Sequence, residues 1–516
     1  MSLRTRRTGL TLATAAATLA GSVLLAPPAG AGGNPNPNGF AQRVKTAEVM
    51  AHLEAFQQIA DANGGTRASG TPGYDASGDH VQGLLEEAGY LVERQAFDFT
   101  SSTTVTEELT VGGTAVEVVA MEYSPSGTAT GLLSALATDD TTPGCEATDF
   151  PAAVVGTVVL VSRGSCAFGV KQQLATAAGA TGIVVYNNVP DAPLNGTLGG
   201  AVGGIPAGGV TQAAGQALLG QVGQPVVLDV VVEITETSTF NLVAQTPYGD
   251  PDNVVMLGAH LDSVPEGPGI NDNGTGSAAI LQTALELADT KPTRNAVRFA
   301  WWGAEESGLI GSSEYVASLT EEEAAQITGY LNFDMIGSPN YIIGVYDADQ
   351  STYEAPVEVP EGSASLEQVF TDYFDRTRQP WVDTEFSGRS DYQAFIEAGI
   401  PASGLFTGAD GVKTEEEVAL FGGTAGITYD PNYHSPADDL TNVDPTALGI
   451  NSRAIAYATL SLAQDPTPLD LTDNGRGNGH GGGHGGGHGG GHGGGHGSGD
   501  GHGHGHGHDE GHHQAA

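Results

Sequence analysis

Two hydrophobic periods organise this chain. Early on, apolar side chains recur at helical spacing. Val49, Leu53, Phe56 and Ile59 share one face of a helix predicted over 44–62, which Gly64-Gly65 breaks. A second helix is predicted over 76–88 and ends at Gly89, with Tyr90-Leu91-Val92 starting a strand. From about residue 239, strands alternate with helices: strands at 254–257, 296–302 and 330–333, and a mostly apolar helix at 277–288. That alternation predicts an α/β fold with a mostly parallel sheet, whose functional groups lie at the carboxyl ends of the strands.

The stretch from about 120 to 232 differs. Glycine is frequent and charge is sparse. Strand-like runs at 153–161, 182–186 and 226–232 flank a helix at 170–178. Both termini depart from the globular pattern. Residues 32–40 are Gly, Asn and Pro, and 32–43 reads as a flexible leader. Residues 475–516 are Gly/His repeats, which cannot bury enough surface to fold, so 467–516 is expected to be a disordered tail.

The first residues combine Arg4, Arg6 and Arg7 with an apolar run through Leu25 and then Ala29-Gly30-Ala31. This pattern predicts a secretory signal over 1–31, cut after Ala31. A membrane anchor is the competing reading, but the segment is short and Ala/Thr-rich for a span of about 20 residues. No other segment reads as a span. The chain is therefore expected to be secreted and extracellular.

Charge narrows the partners. Against 18 basic residues stand 61 acidic ones, for a net −43, which disfavours nucleic acid and anionic membranes. Surface carboxylate clusters could hold Ca2+, although no EF-hand-like loop is present. The two cysteines, Cys145 and Cys166, are expected to pair in a secreted chain.

Of 15 histidines, 11 lie in the tail; His52, His80, His260 and His434 remain in the body. His52 and His80 fall on predicted helices and read as surface residues. His260 ends a buried strand in Gly258-Ala259-His260-Leu261-Asp262, and His434 follows Tyr433. Asp262 is placed near the His260 ring, where it could orient the imidazole or serve as a turn residue. Asp272 lies in Asn271-Asp272-Asn273-Gly274, before a helix. It could bridge two metals or cap the helix, unless Asn273 or Thr275 caps instead. Glu305-Glu306 follows an apolar strand, a poor core pattern. One of the pair could bind metal while the other takes a proton from water. Asp334 ends another strand. Two histidines and three carboxylates, one of them bridging, suit a pair of zinc ions, and a further carboxylate can act as base.

Taken in order, these motifs resemble the M28 family of co-catalytic zinc aminopeptidases, from Arg67-Ala68-Ser69-Gly70-Thr71-Pro72-Gly73 to about Leu440. The segment from Val159 to Asn188 resembles a protease-associated (PA) domain. The resemblance implies an α/β/α sandwich with a mixed, mostly parallel sheet, built from 44–119 and 233–466, with a β-rich PA insertion at 120–232. It implies two Zn2+ per chain. Asp272 would bridge, His260 and Asp334 would complete one site, and Glu306 and His434 the other. Glu305 would be the general base, Tyr433 would stabilise the oxyanion, Asp262 would support His260, and Arg389 in Gly388-Arg389-Ser390-Asp391-Tyr392 would contact substrate. The implied substrates are peptides or proteins with a free N-terminus, with large apolar first residues favoured. Met335, Phe386 and Phe406 could line such a pocket or belong to the core. The chain is expected to act as a monomer.

Relatives often flank the last histidine with cysteines; here Asn432 and Ala437 stand in those places, so that loop lacks a staple. A carboxypeptidase would need a basic pocket, for which Lys and Arg are few. A non-catalytic relative would be expected to lack ligands, and all are present. The histidine tail could gather zinc, copper or nickel, or could be a dispensable extension.

Overall fold

The computed structural model describes residues 36–465 apart from 189–193, 195, 202 and 291. The expected signal peptide and histidine tail lie outside the described residues.

The central strands show why this sequence makes a sheet covered on both faces. Val255, Leu257 and Ala259 point into one core, while Met256 joins another. Phe299 and Trp301 likewise oppose Ala300 and Trp302, and Leu331 and Phe333 oppose Tyr330. Alternation with both sets apolar is what a doubly covered strand needs. One face packs on helices Thr46–Ala62, Gly276–Ala288 and Pro445–Gln464, and the other on Ile310–Ser318 and Tyr392–Glu397. The order across this region is Val382–Thr384, Gly344–Tyr346, Ala402–Phe406, Ile327–Asp334, Asp250–His260, Asn295–Trp302, Pro225–Gln245. The Asp250–His260 strand is parallel to both its neighbours, so His260 and Asp334 emerge at the same edge. The fold is therefore a mixed, mostly parallel α/β sandwich.

Strands Leu91–Val111 and Pro225–Gln245 pair antiparallel from Leu91↔Gln245 to Val111↔Val226, with one irregularity between Thr104 and Thr106. This ribbon carries the sheet out of the α/β core. It then continues through Gly127–Ala135, Val158–Ser162, Gly182–Tyr186 and Ala207–Val210. Two further clusters, around Leu160 and Leu228 and around Val159 and Val185, form the core there. Cys145 and Cys166 are bonded. Beside them the buried Lys171 donates to the carbonyls of Pro143 and Gly164, which keeps a cation satisfied without a carboxylate.

Several elements differ from expectation. The expected strand of three residues at Tyr90 runs from Leu91 to Val111, and the one at 226–232 runs to Gln245. Their polar, half-exposed Thr, Ser and Glu residues gave no apolar period to read. Likewise 153–161 is a short turn, Ala152–Val154, followed by strand Val158–Ser162. The second helix begins at Pro72, a turn early, because Pro is favoured in the first helical turn and the Thr71 hydroxyl accepts from the Tyr74 N–H. The end of the expected flexible leader is ordered: Pro37–Ala41 is a helix with Phe40 and Ala41 buried against helix Pro445–Gln464.

Candidate active site

Six of the sequence-predicted residues meet at the carboxyl edge of the sheet. His260 and Asp334 are the last residues of their strands, and Glu305 and Glu306 follow Trp302. Left-handed backbone turns the chain just before Glu305, just after Asp334 and at His434: Ala304 has φ 54°, Met335 46° and His434 52°. Such values are uncommon for residues with a Cβ, and they mark where the chain doubles back to aim neighbouring side chains.

Asp272 stands at the centre. Its Oδ1 lies 3.2 Å from His260 Nε2 and its Oδ2 3.2 Å from His434 Nε2. His260 Nε2 is also 3.3 Å from Asp334 Oδ1 and 3.8 Å from Glu305 Oε2. His434 Nε2 is 3.0 Å from Glu306 Oε2. The donor atoms of His260, Asp272 and Glu306 lie within 4.8 Å of one another, as do those of His260, Glu305 and Asp334. Asp334 Oδ1 and Glu306 Oε1 are buried without a hydrogen-bond partner. Orphaned buried carboxylate oxygens beside two imidazoles fit divalent-cation binding.

The electrostatics agree. Burial opposes protonation of His260, yet Glu305, Asp334, Asp262 and Asp272 outweigh it and raise its pKa well above the ordinary range. Burial likewise opposes the charged form of His434, and Glu306 and Asp272 raise it. Burial, reinforced by Asp391, Glu306 and Asp334, pushes Glu305 well above the usual carboxylate range. Burial also lifts Glu306 to about 7. Asp272, although buried, is held low by the two histidines. This concentration of buried acid awaits cationic charge.

The supporting shell holds residues that sequence reasoning missed. Asp438 accepts the backbone N–H groups of Asn271 and Asp272 at 2.9 and 3.0 Å. Asp430 accepts from Asn271 Nδ2 and Asn442 Nδ2. The fully buried Arg67 donates to the carbonyls of Leu261, Pro268 and Gly269. Asn273 Oδ1, not Asp272, accepts from Gly276 N at the start of the helix, so the Asp272 carboxylate is free to face the histidines. Asp438 and Arg67 lie far in sequence from the groups they hold, so no local signal could reveal them, whereas the Asn273 cap is one of the alternatives the sequence offered. Asp262 acts partly otherwise than expected. Its backbone carbonyl is the nearer partner of His260 Nδ1, at 3.1 Å, with its carboxylate at 3.6 Å; that carboxylate also accepts from Glu305 N at 3.3 Å.

Tyr433 stacks on His434 at 3.8 Å between ring centroids. Arg389 donates to the Tyr433 Oη at 3.4 Å and to Asp410 at 3.1 Å. Tyr433, Arg389 and Asp410 line a cleft of about 200 Å³ together with His260, Asp272, Glu305, Glu306 and Asp334, and Met335, Tyr346, Phe406 and Tyr429 also border it. Phe386 is instead buried in the core against Tyr346. His52 and His80 lie apart, near Phe56. Elsewhere, Asp347, Asp349 and Glu367 bring oxygens within 4.8 Å of one another, but backbone N–H groups already satisfy Asp347 and Glu367. Among the described residues no helix is long and apolar enough to cross a membrane.

Comparison with known proteins agrees with this geometry. Residues 241–459 match Peptidase family M28 and residues 129–218 match the PA domain. The chain is 47% identical over 432 residues to a probable lipoprotein aminopeptidase of Mycobacterium tuberculosis, covering 82% of this chain and 86% of that one. It is 42% identical over 431 residues to leucine aminopeptidase 2 of Trichophyton tonsurans, covering 82% and 85%. Among solved structures it resembles an aminopeptidase from Aneurinibacillus sp. strain AM-1. That likeness has a TM-score of 0.69 at 26% identity, over 84% of this chain and 98% of the other.

Proposed function

The chain belongs to peptidase family M28, as a metallo-aminopeptidase with an inserted PA domain. From that premise we propose a secreted enzyme that holds two zinc ions and removes large apolar residues from the N-termini of peptides. The observation that carries the two-metal reading is Asp272, whose two oxygens each face a different imidazole at 3.2 Å. His260 and Asp334 would complete one site, and Glu306 and His434 the other. Secretion rests on the basic, apolar and Ala29-Gly30-Ala31 pattern of the first 31 residues.

When bound, the zinc pair would polarise the scissile carbonyl and make water acidic enough to attack it near neutral pH. The remaining work falls to side chains. Glu305, beside the ligands and 3.8 Å from His260 Nε2, takes a proton from the attacking water and returns it to the leaving amine. Tyr433 accepts a hydrogen bond from Arg389 through its oxygen, so its own proton is free to donate to the oxyanion. Asp410 holds Arg389 from behind. The free α-amine of the substrate sits among the carboxylates near Glu305, which confines cleavage to the N-terminus. Met335, Tyr346 and Phe406 receive the first side chain.

Hydrolysis of leucine p-nitroanilide and of its N-acetyl form tests this. Only the free-amine substrate should be cleaved, with activity lost on chelation and regained with zinc, and metal analysis should count two ions per chain. Cleavage of both forms, or one ion at full activity, contradicts the reading.

A further inference from the structure

One acidic side chain of the cleft has no task in the reaction above. Glu385 borders the cleft together with Met335, Tyr346 and Phe406. It follows strand Val382–Thr384, which pairs with Gly344–Tyr346 and so stands beside Tyr346. Tyr346 itself is stacked on Phe386, at 5.1 Å, and on Phe406, at 6.5 Å. Glu385 is exposed, and among the described residues its carboxylate has neither a salt-bridge partner nor a hydrogen bond. The other acid outside the metal centre, Asp410, is neutralised by Arg389. Beyond the metal centre the cleft therefore has an apolar stretch at Met335, Tyr346 and Phe406 and, at Glu385, a carboxylate with no bonded cation.

We propose that Glu385 is a specificity-determining residue that lets the enzyme accept lysine and arginine, besides apolar residues, at the N-terminus of its substrates. A lysine or arginine side chain has an apolar stem that packs on the same walls as leucine, and a cationic head that reaches onward to a carboxylate. A negatively charged first residue meets the same carboxylate as repulsion, so it is excluded. Because Glu385 is exposed, the pairing is screened by water and salt. It adjusts selectivity by a modest factor and leaves the chemistry untouched.

This inference rests on the aminopeptidase reading, and turnover of leucine p-nitroanilide by the wild-type enzyme tests that reading separately. The decisive comparison is kcat/KM of wild type, Glu385→Gln and Glu385→Lys on leucine, lysine, arginine and glutamate p-nitroanilides at low and high salt. Glu385→Gln should lower lysine and arginine turnover by roughly 3- to 10-fold, mostly through KM, and leave leucine within 2-fold. Salt should erase most of the difference, and Glu385→Lys should raise glutamate turnover. Retained leucine turnover also shows that each variant is folded. Unchanged lysine-to-leucine ratios, or equal losses on all substrates, overturn the assignment.

Discussion

Ser390 donates its hydroxyl proton to Asp334 Oδ2 at 2.6 Å, which leaves Oδ1 of the same carboxylate facing His260. The serine also accepts from Asn332 Nδ2 at 2.8 Å, and it is buried. It thus fixes which oxygen of Asp334 is available to a cation. Removing such an outer partner typically costs 10- to 100-fold in metal affinity or activity. Ser390→Ala should lower zinc affinity by about that factor, read by competition with a chromophoric chelator, and excess zinc should restore most of the activity. Wild-type zinc affinity in the variant would show that the bond is incidental.

Glu305 adjoins Glu306 in sequence yet faces His260, whereas Glu306 faces His434. If Glu305 moves protons and does not hold metal, Glu305→Gln should keep two zinc ions while kcat falls roughly 10²- to 10⁴-fold. Loss of an ion from this variant would instead make Glu305 a ligand.

The disulfide joins Cys145 to Cys166, 21 residues apart, and none of the residues between them borders the cleft. Closing a loop of that size is worth about 3 kcal/mol in the chain-entropy model. Cys145→Ser with Cys166→Ser should destabilise the protein by roughly that amount in urea, while turnover of leucine p-nitroanilide per folded molecule stays unchanged. An equal loss of turnover in the folded state would tie the PA domain to the chemistry.

Glu367 accepts from the Ala348 and Asp349 N–H groups at 2.8 and 2.9 Å. Burial, together with Asp349 and Asp347, lifts its pKa to about 7 from 4.5. A carboxylate raised on folding binds more protons in the native state, so its unfavourable contribution is absent below about pH 4.5 and complete above about 7. Glu367→Gln keeps an acceptor for both N–H groups but cannot ionise. Between pH 5 and 8 the wild type should lose stability that the variant keeps, on the order of 1–2 kcal/mol after allowance for solvent screening. Parallel pH profiles in urea denaturation would rule this out.

The candidate site was legible where it depends on residue type and local context. His260 and Asp334 end strands with marked apolar alternation and Glu305 and Glu306 follow another, and periodicity locates such ends, whereas Asp272 and His434 stand in short loop motifs. The doubly covered sheet was legible for the same reason. The long ribbon of Leu91–Val111 and Pro225–Gln245 was not, because half-exposed Thr and Glu residues carry no apolar period. Nor was the ordered helix Pro37–Ala41, which is held by a helix roughly 400 residues away in sequence.

By itself, then, the sequence determined which side chains are candidates for the chemistry and which strands carry His260 and Asp334. Tertiary structure alone decided which acid faces which histidine. That depends on left-handed turns at Ala304, Met335 and His434 and on buried hydrogen bonds accepted by Asp438 and donated by Ser390 and Arg67. The physical reason is one of range. Periodicity and turn chemistry act over a few residues, whereas the aim of a carboxylate is set by packing and hydrogen bonds between groups that only folding brings together.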